Sequence, residues 1–272
     1  MTYSQIIQQL KVHQEYVHKQ LFLNRDKNEV GWTVLCTCLR GSQNYGLDHK
    51  DSDVDSVTII VPTIHSLIMK HIYSKEYTLE KEKLTVVDIY SYIEYLKKSN
   101  PALLETTCTD YFVVPVKEYS SYKKELCELG KQLLYCQPKT TAFSVIGNIF
   151  SLLDKVYRND DYDVKAMSGA FRLYEWLVLY LKNELDKDAP FEMKDSWFLR
   201  EYWNIRAGDS VDDHEVVYNN TMAIRDALAA NDSEKLAEQL KATPIMLEPL
   251  TNGVSQRLAD WYLKVVQEVN KI

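Results

Sequence analysis

No stretch of this sequence reaches the roughly 18 uninterrupted apolar residues of a membrane-spanning helix, so no span is expected. The opening ten residues, M-T-Y-S-Q-I-I-Q-Q-L, lack the basic and apolar regions of a secretory signal, and none is expected. The five cysteines are odd in number and form no C-x-x-C pair, which argues against a disulfide framework. Cys36 and Cys38 share one face of a predicted strand and read as core thiols, and a reducing cytoplasm fits them. Of the six histidines (His13, His18, His49, His65, His71 and His214), none has zinc-ligand spacing with a second His or Cys on one element. An excess of basic charge is also missing. The formal net charge is -7; residues 1–125 carry 15 Lys/Arg against 16 Asp/Glu, and residues 126–272 carry 17 against 23. That balance argues against broad, nonspecific nucleic-acid binding but leaves room for one nucleotide or one shaped RNA. No repeat of fixed period and no low-complexity segment is present.

What is there is the composition of an ordinary globular protein. With 272 residues, 46% hydrophobic and 26% charged, the chain can bury a proper core as one large domain or two modest ones. Its organising stretch runs from Leu39 to Asp55, L-R-G-S-Q-N-Y-G-L-D-H-K-D-S-D-V-D, between two β-branched-rich runs at residues 32–39 and 54–61. The Gly41-Ser42 turn offers backbone N–H groups suited to phosphate oxygens. Asp53 and Asp55, one residue apart on a strand, point to the same face roughly 6.6 Å from each other. Their oxygens can converge on one Mg²⁺. A Walker A loop fails because Leu47 and Asp48 follow Gly46 where Lys and Ser/Thr are required. An EF-hand starting at Asp51 fails at Ser56 and Pro62, where Gly and Glu are needed. A polar turn with solvated aspartates remains the alternative reading of the residues alone.

Gly41-Ser42, Gly46 and Ser52-Asp53-Val54-Asp55 resemble the signature of the DNA polymerase β-like nucleotidyltransferase superfamily: a Gly-Ser turn, a short helix and an Asp-x-Asp pair opening the next strand. The local wording is similar to predicted nucleotidyltransferases of bacteria and their phages. The resemblance implies an α+β fold: a nucleotidyltransferase core on a mixed, mainly antiparallel sheet with helices on one side, then an all-helical C-terminal domain. The expected division is residues 1–120 and 121–272.

Before the core, residues 3–23 space their apolar side chains as one amphipathic helix, and residues 28–31 read as a turn. Residues 63–70 read as a short helix. Residues 73–79 and 84–90 read as two strands joined by the charged tip Glu80-Lys81-Glu82-Lys83. Asp88 lies in the second, flanked by Val86, Val87 and Ile89, where a carboxylate is expensive to bury without a partner. Two readings stand: a strand-end cap for the helix from Ser91, or, by the resemblance, the third acid that joins the Asp-x-Asp pair. Tyr90 replaces an arginine that the family often has after such an aspartate. Asn100-Pro101-x-x-x-Glu105 starts a further turn that resembles the same family, and residues 106–116 read as a strand. From residue 118 the pattern is helical, at 119–134, 140–157, 164–185, 197–206, 215–230, 233–240 and 254–269.

On the third of those helices Lys165, Ser168 and Arg172 share a face about 10 Å long, the length of a triphosphate. Solvated surface, with Glu175 pairing to Arg172, is the alternative. Related nucleotidyltransferases present basic residues to the nucleotide from a helix after the core. Many relatives carry arginine where Gln43 stands, so that helix is expected to supply the loop's missing cation. The implied activity is a transferase moving a nucleoside monophosphate from an NTP, ATP among them, to an RNA, protein or small-molecule acceptor, with Mg²⁺ or Mn²⁺. The implied site has Asp53, Asp55 and Asp88 on the metal, with Gly41, Ser42, Lys165 and Arg172 on the nucleotide. A nucleotide-binding regulatory module or a toxin–antitoxin component is the competing expectation.

Overall fold

A computed structural model describes residues 1–23, 31–49, 52–70, 72–157, 162–209, 213–242 and 253–271. The turn expected at residues 28–31 falls outside them except for Gly31. The chain forms two compact units, Met1–Cys136 with Thr251–Ile272, and Gln137–Leu250. Among the described residues no helix is long and apolar enough to cross a membrane.

The first unit begins with α1 (Tyr3–Leu23), β1 (Thr33–Arg40), a 3₁₀ turn (Ser42–Tyr45) and β2 (Asp55–Val61). It continues through α2 (Ile64–Ile68), β3 (Ser74–Leu79), β4 (Glu82–Asp88), α3 (Ile89–Lys97), α4 (Pro101–Cys108), β5 (Phe112–Val113) and α5 (Tyr119–Cys136). The sheet runs β3-β4-β2-β1-β5, and only the β2–β4 pair is parallel. Arg40 faces Asp55 across β1–β2, and Ser56 pairs with Leu84 across β2–β4. This mixed, mainly antiparallel sheet is the one the Gly-Ser and Asp-x-Asp pattern implies.

Helices cover both faces of the sheet, not one. On one face Ile6, Leu10 and Val17 of α1 pack against Leu39, Val54, Val34, Ile60, Leu84 and Val86. On the other, α3 packs against β2 and β4 while α4 and α5 pack against β1. Both β1 and β2 are buried almost throughout, as strands covered on two sides must be. The strand expected over residues 106–116 shrinks to β5, because α4 extends through Cys108. Asn100 caps that helix by accepting from the N–H groups of Ala102 and Leu103, and Pro101 starts it with its φ already set. Thr106 and Thr107, which read as strand formers, donate their hydroxyls back to Leu103 O at 2.9 and 2.7 Å.

The first compact unit runs to Cys136, past the expected division at 120, because α5 is built into its core. Lys123 is fully buried and donates to Thr107 O at 2.9 Å and Thr109 O at 3.1 Å, satisfying carbonyls at the end of α4. A Cβ at Gly130 would collide with the Thr107 side chain, so α5 approaches α4 as closely as only glycine allows. The last helix, α11 (Val254–Val269), also belongs to this unit: Trp261 Nε1 donates to Tyr122 O at 3.0 Å, and Lys264 pairs with Glu125 at 2.9 Å.

The second unit is helical among its described residues: α6 (Pro138–Val156), α7 (Val164–Lys182), α8 (Ser196–Ala207), α9 (Asp213–Ala230) and α10 (Ser233–Leu240). Aspartates cap three of these, Asp163 for α7, Asp195 for α8 and Asp232 for α10. Trp176 stacks between Tyr180 and Phe191 and donates to Pro190 O at 2.8 Å, so the α7 aromatics are packing residues.

Candidate active site

The Gly-Ser loop is shaped by its glycines and braced from beneath. Gly41 has φ 105° and ψ -155°, a backbone state barred to residues with a Cβ. A Cβ there would meet nothing within 4 Å, so the glycine serves conformation rather than space. Gly46 closes the 3₁₀ turn in the left-handed region at φ 71°. Beneath the loop lies Glu105, buried, whose carboxylate accepts from Gly41 N–H at 2.7 Å, from Asn44 Nδ2 at 2.9 Å and from the Tyr45 hydroxyl. The Gly41 N–H, expected to face a phosphate, is therefore spent on Glu105.

Asp53 and Asp55 stand beside this loop. Gln43 Nε2 donates to Asp53 O at 2.7 Å and ties the loop to the aspartate segment. Lys83 N–H donates to Asp55 Oδ1 at 2.8 Å, and Lys81 Nζ lies 2.9 Å from Asp53 Oδ1. That Asp53 oxygen is buried and takes no hydrogen bond of proper geometry, and Gln43 Oε1 is orphaned in the same way. Buried polar oxygens without donors are costly. Two in one cluster mark a place where a cation or donor from outside improves the balance. Arg40, directly before Gly41, is the cross-strand neighbour of Asp55 and reaches Thr85 Oγ1 at 3.4 Å.

On the α1 face of the same strands a buried network holds Val54, the residue between the two aspartates. Glu82 Oε1 accepts from Val54 N–H at 3.2 Å, and Glu82 Oε2 lies 2.8 Å from His13 Nε2 and 2.6 Å from Gln9 Nε2. His13 is fully buried, with Nδ1 3.0 Å from Ser56 Oγ. A carboxylate accepts only, so Nε2 carries a hydrogen towards Glu82. Glu82 is thus a structural brace, and not part of the solvated hairpin tip the sequence suggested.

The structure separates Asp88 from the other aspartates. It pairs with Ile60, five residues along β2 from Asp55, or roughly 16 Å at about 3.3 Å per residue. Its carboxylate is buried and accepts from Ser91 N–H at 2.9 Å, Ser91 Oγ at 2.7 Å and Tyr73 N–H at 2.9 Å. Asp88 is the N-cap of α3, and the third-acid assignment is corrected on those grounds. Next to the Ser56–Leu84 pair, Lys83 N–H donates to Asp55 Oδ1, and the Lys83 side chain points to Glu76 at 3.8 Å. Among the described residues no group of three or more His, Cys, Asp or Glu side chains could hold a metal. Asp53 and Asp55, one with an orphaned oxygen, offer carboxylate oxygens of the kind a single hard cation would take. A second ion lacks its expected carboxylate.

Lys165 and Arg172 lie on α7 of the second unit, the former exposed and the latter half-buried. Ser168 between them is buried and donates to Lys165 O at 3.2 Å, so packing interrupts the expected stripe. The residues that sequence reasoning missed, Arg40, Lys81, Glu82 and Glu105, are placed by strand register and by α4. Only Glu105 carried a signal, in the Asn-Pro-x-x-x-Glu run.

A glycine turn, a one-turn helix and an Asp-x-Asp pair entering the centre of a mixed sheet are the core of the DNA polymerase β-like nucleotidyltransferase fold, and the first unit has that fold. More narrowly, residues 15–134 match the family model for RlaP, the RNA repair pathway DNA polymerase beta family. A solved nucleotidyltransferase-like protein from Exiguobacterium sibiricum 255-15 is 13% identical, with 87% of this chain and 74% of that one covered at a TM-score of 0.27. No curated protein matches significantly.

Proposed function

We propose that the first unit transfers a nucleoside monophosphate from an NTP to an acceptor, releasing pyrophosphate. The observation that carries this reading is the placement of Asp53 and Asp55, one with an orphaned buried oxygen, against a glycine turn braced by Glu105. Asp53 and Asp55 would hold one Mg²⁺ or Mn²⁺. Such an ion would polarise phosphate oxygens and orient the leaving group. The Ser42 hydroxyl, without a hydrogen-bond partner among the described residues, would donate to the triphosphate. Gly41 shapes the turn rather than donating. Arg40 and Lys81 supply positive charge beside the pair, a role that Lys165 and Arg172 no longer need to fill. The matched family's description, an RNA repair pathway, makes RNA the acceptor to test first.

The test is incubation with each α-labelled NTP and Mg²⁺ or Mn²⁺, in parallel with RNA, protein extract and no acceptor. Label transferred to RNA, and absent with Asp53→Asn, supports the proposal; label in the protein extract alone keeps the transfer and moves the acceptor. A second reading, nucleotide binding without turnover, is favoured by one observation: Asp88, the expected third acid, pairs with Ile60 and is spent on capping α3. Stabilisation by NTP with no label transferred to any acceptor would decide for it.

A further inference from the structure

We infer that Lys81 is an exchangeable counter-ion: it occupies Asp53 when no divalent ion is bound, and turns to the triphosphate when one is. This deepens the proposed function and rests on Asp53 and Asp55 being the metal pair. Three observations carry it. Lys81 Nζ sits 2.9 Å from Asp53 Oδ1, the same oxygen that is buried and takes no hydrogen bond of proper geometry. The ammonium thus neutralises the atom a metal would use without tying it into a directional bond. Secondly, Lys81 follows Glu80, which turns the β3–β4 hairpin at φ 56°, and its side chain is 65% exposed. A long, mostly exposed side chain on a hairpin tip can swing away at modest cost, because water takes up its ammonium as the pair opens. Thirdly, the other aspartate is treated differently. Lys83 grips Asp55 Oδ1 through its backbone N–H, and its side chain turns to Glu76. One carboxylate is fixed by the main chain, and its neighbour is covered by a removable charge. With Arg40 opposite Asp55, a displaced Lys81 would give a triphosphate two cations at this end of the sheet.

The exchange predicts opposite signs for two ligands in one variant. In Lys81→Met, which keeps most of the stem and removes the charge, Mn²⁺ alone should bind roughly three- to tenfold tighter, because it no longer competes with an ammonium. Inorganic tripolyphosphate added at saturating Mn²⁺ should bind roughly three- to tenfold weaker, and both differences should shrink in 0.5 M salt. Mn²⁺ affinity is read by electron paramagnetic resonance and tripolyphosphate affinity by calorimetry, on the full chain, with Asp53→Asn as reference. Opposite shifts support the exchange. Unchanged Mn²⁺ affinity in Lys81→Met, with binding lost in Asp53→Asn, overturns the exchange and leaves the metal pair standing. Both affinities falling together would make Lys81 a structural residue, and overturn it too. No Mn²⁺ binding in either the parent or Lys81→Met removes the metal-pair reading and the inference with it.

Discussion

The two ends of the β2–β4 pair show what burial does to an aspartate. At one end Asp88 is buried and receives two N–H groups and a hydroxyl. At the other, Asp53 is a third exposed, and one oxygen is buried, without a hydrogen-bond donor among the described residues, and paired with a lysine on a hairpin tip. The sequence contexts are alike, each aspartate next to β-branched residues beside a strand. The outcomes differ because the chain supplies donors to one and withholds them from the other. A carboxylate that is fully satisfied internally stabilises the fold and has nothing left for a ligand. One left incomplete costs stability and is available for chemistry.

The sharpest way to break this comparison is to neutralise each aspartate and read two quantities. Asp53→Asn should abolish Mn²⁺ binding and lower nucleotidyl transfer on the order of a thousandfold. Its unfolding free energy should stay within about 0.5 kcal/mol of the parent, since the carboxylate gives the fold little. Urea titration and labelled-NTP transfer measure the two effects. A stability loss as large as that of Asp88→Ala would end the distinction. Asp88→Ala should cost about 2–4 kcal/mol, combining a lost N-cap with the unsatisfied Tyr73 N–H. Mn²⁺ affinity per folded molecule should not change, and a loss of it would return Asp88 to the site.

The second unit supplies an intermediate case. Burial, the largest influence, raises the Glu175 carboxyl to about 7; Lys182 lowers it and Asp195 raises it further. The folded state then holds its proton over a range where the unfolded chain has lost it. The contribution of this group to stability is therefore neutral below about pH 4.5, falls as pH rises to about 7, and stays unfavourable above that. Glu175→Gln should remove that slope and gain on the order of 1–3 kcal/mol at pH 8, with no gain at pH 4. Thermal unfolding of both proteins from pH 4 to 8 checks it. Equal slopes would mean that Glu175 titrates as an ordinary surface acid.

How much of this was legible beforehand follows from the range of each interaction. The helices α10 and α11 were readable to the residue, because period and caps are local, and the glycine turn and Asp53/Asp55 were readable as a pattern. The cap role of Asp88 was also local, with Ser91 three residues on, but the chemical reading competed with it. Lys81, Glu82 and Arg40 could not be assigned, because only strand register brings them to the aspartates, and one step of register reverses every face. Residues 106–108 misled because threonine favours strands until its hydroxyl finds a helix carbonyl.

Glu105 sharpens the comparison at the smallest scale. Like Asp88 it is a buried, satisfied carboxylate, yet it lies directly beneath the loop proposed to meet a triphosphate, so its charge opposes the ligand its geometry prepares for. Glu105→Gln keeps an oxygen for Gly41 N–H and Asn44 Nδ2 and turns an amide towards Tyr45. The loss of charge assistance should cost only about 1 kcal/mol. Removing a buried negative charge should also tighten metal-free tripolyphosphate binding by roughly two- to threefold. Calorimetry on the folded variant decides: weaker binding would mean that the loop needs the carboxylate's full grip more than relief from its charge.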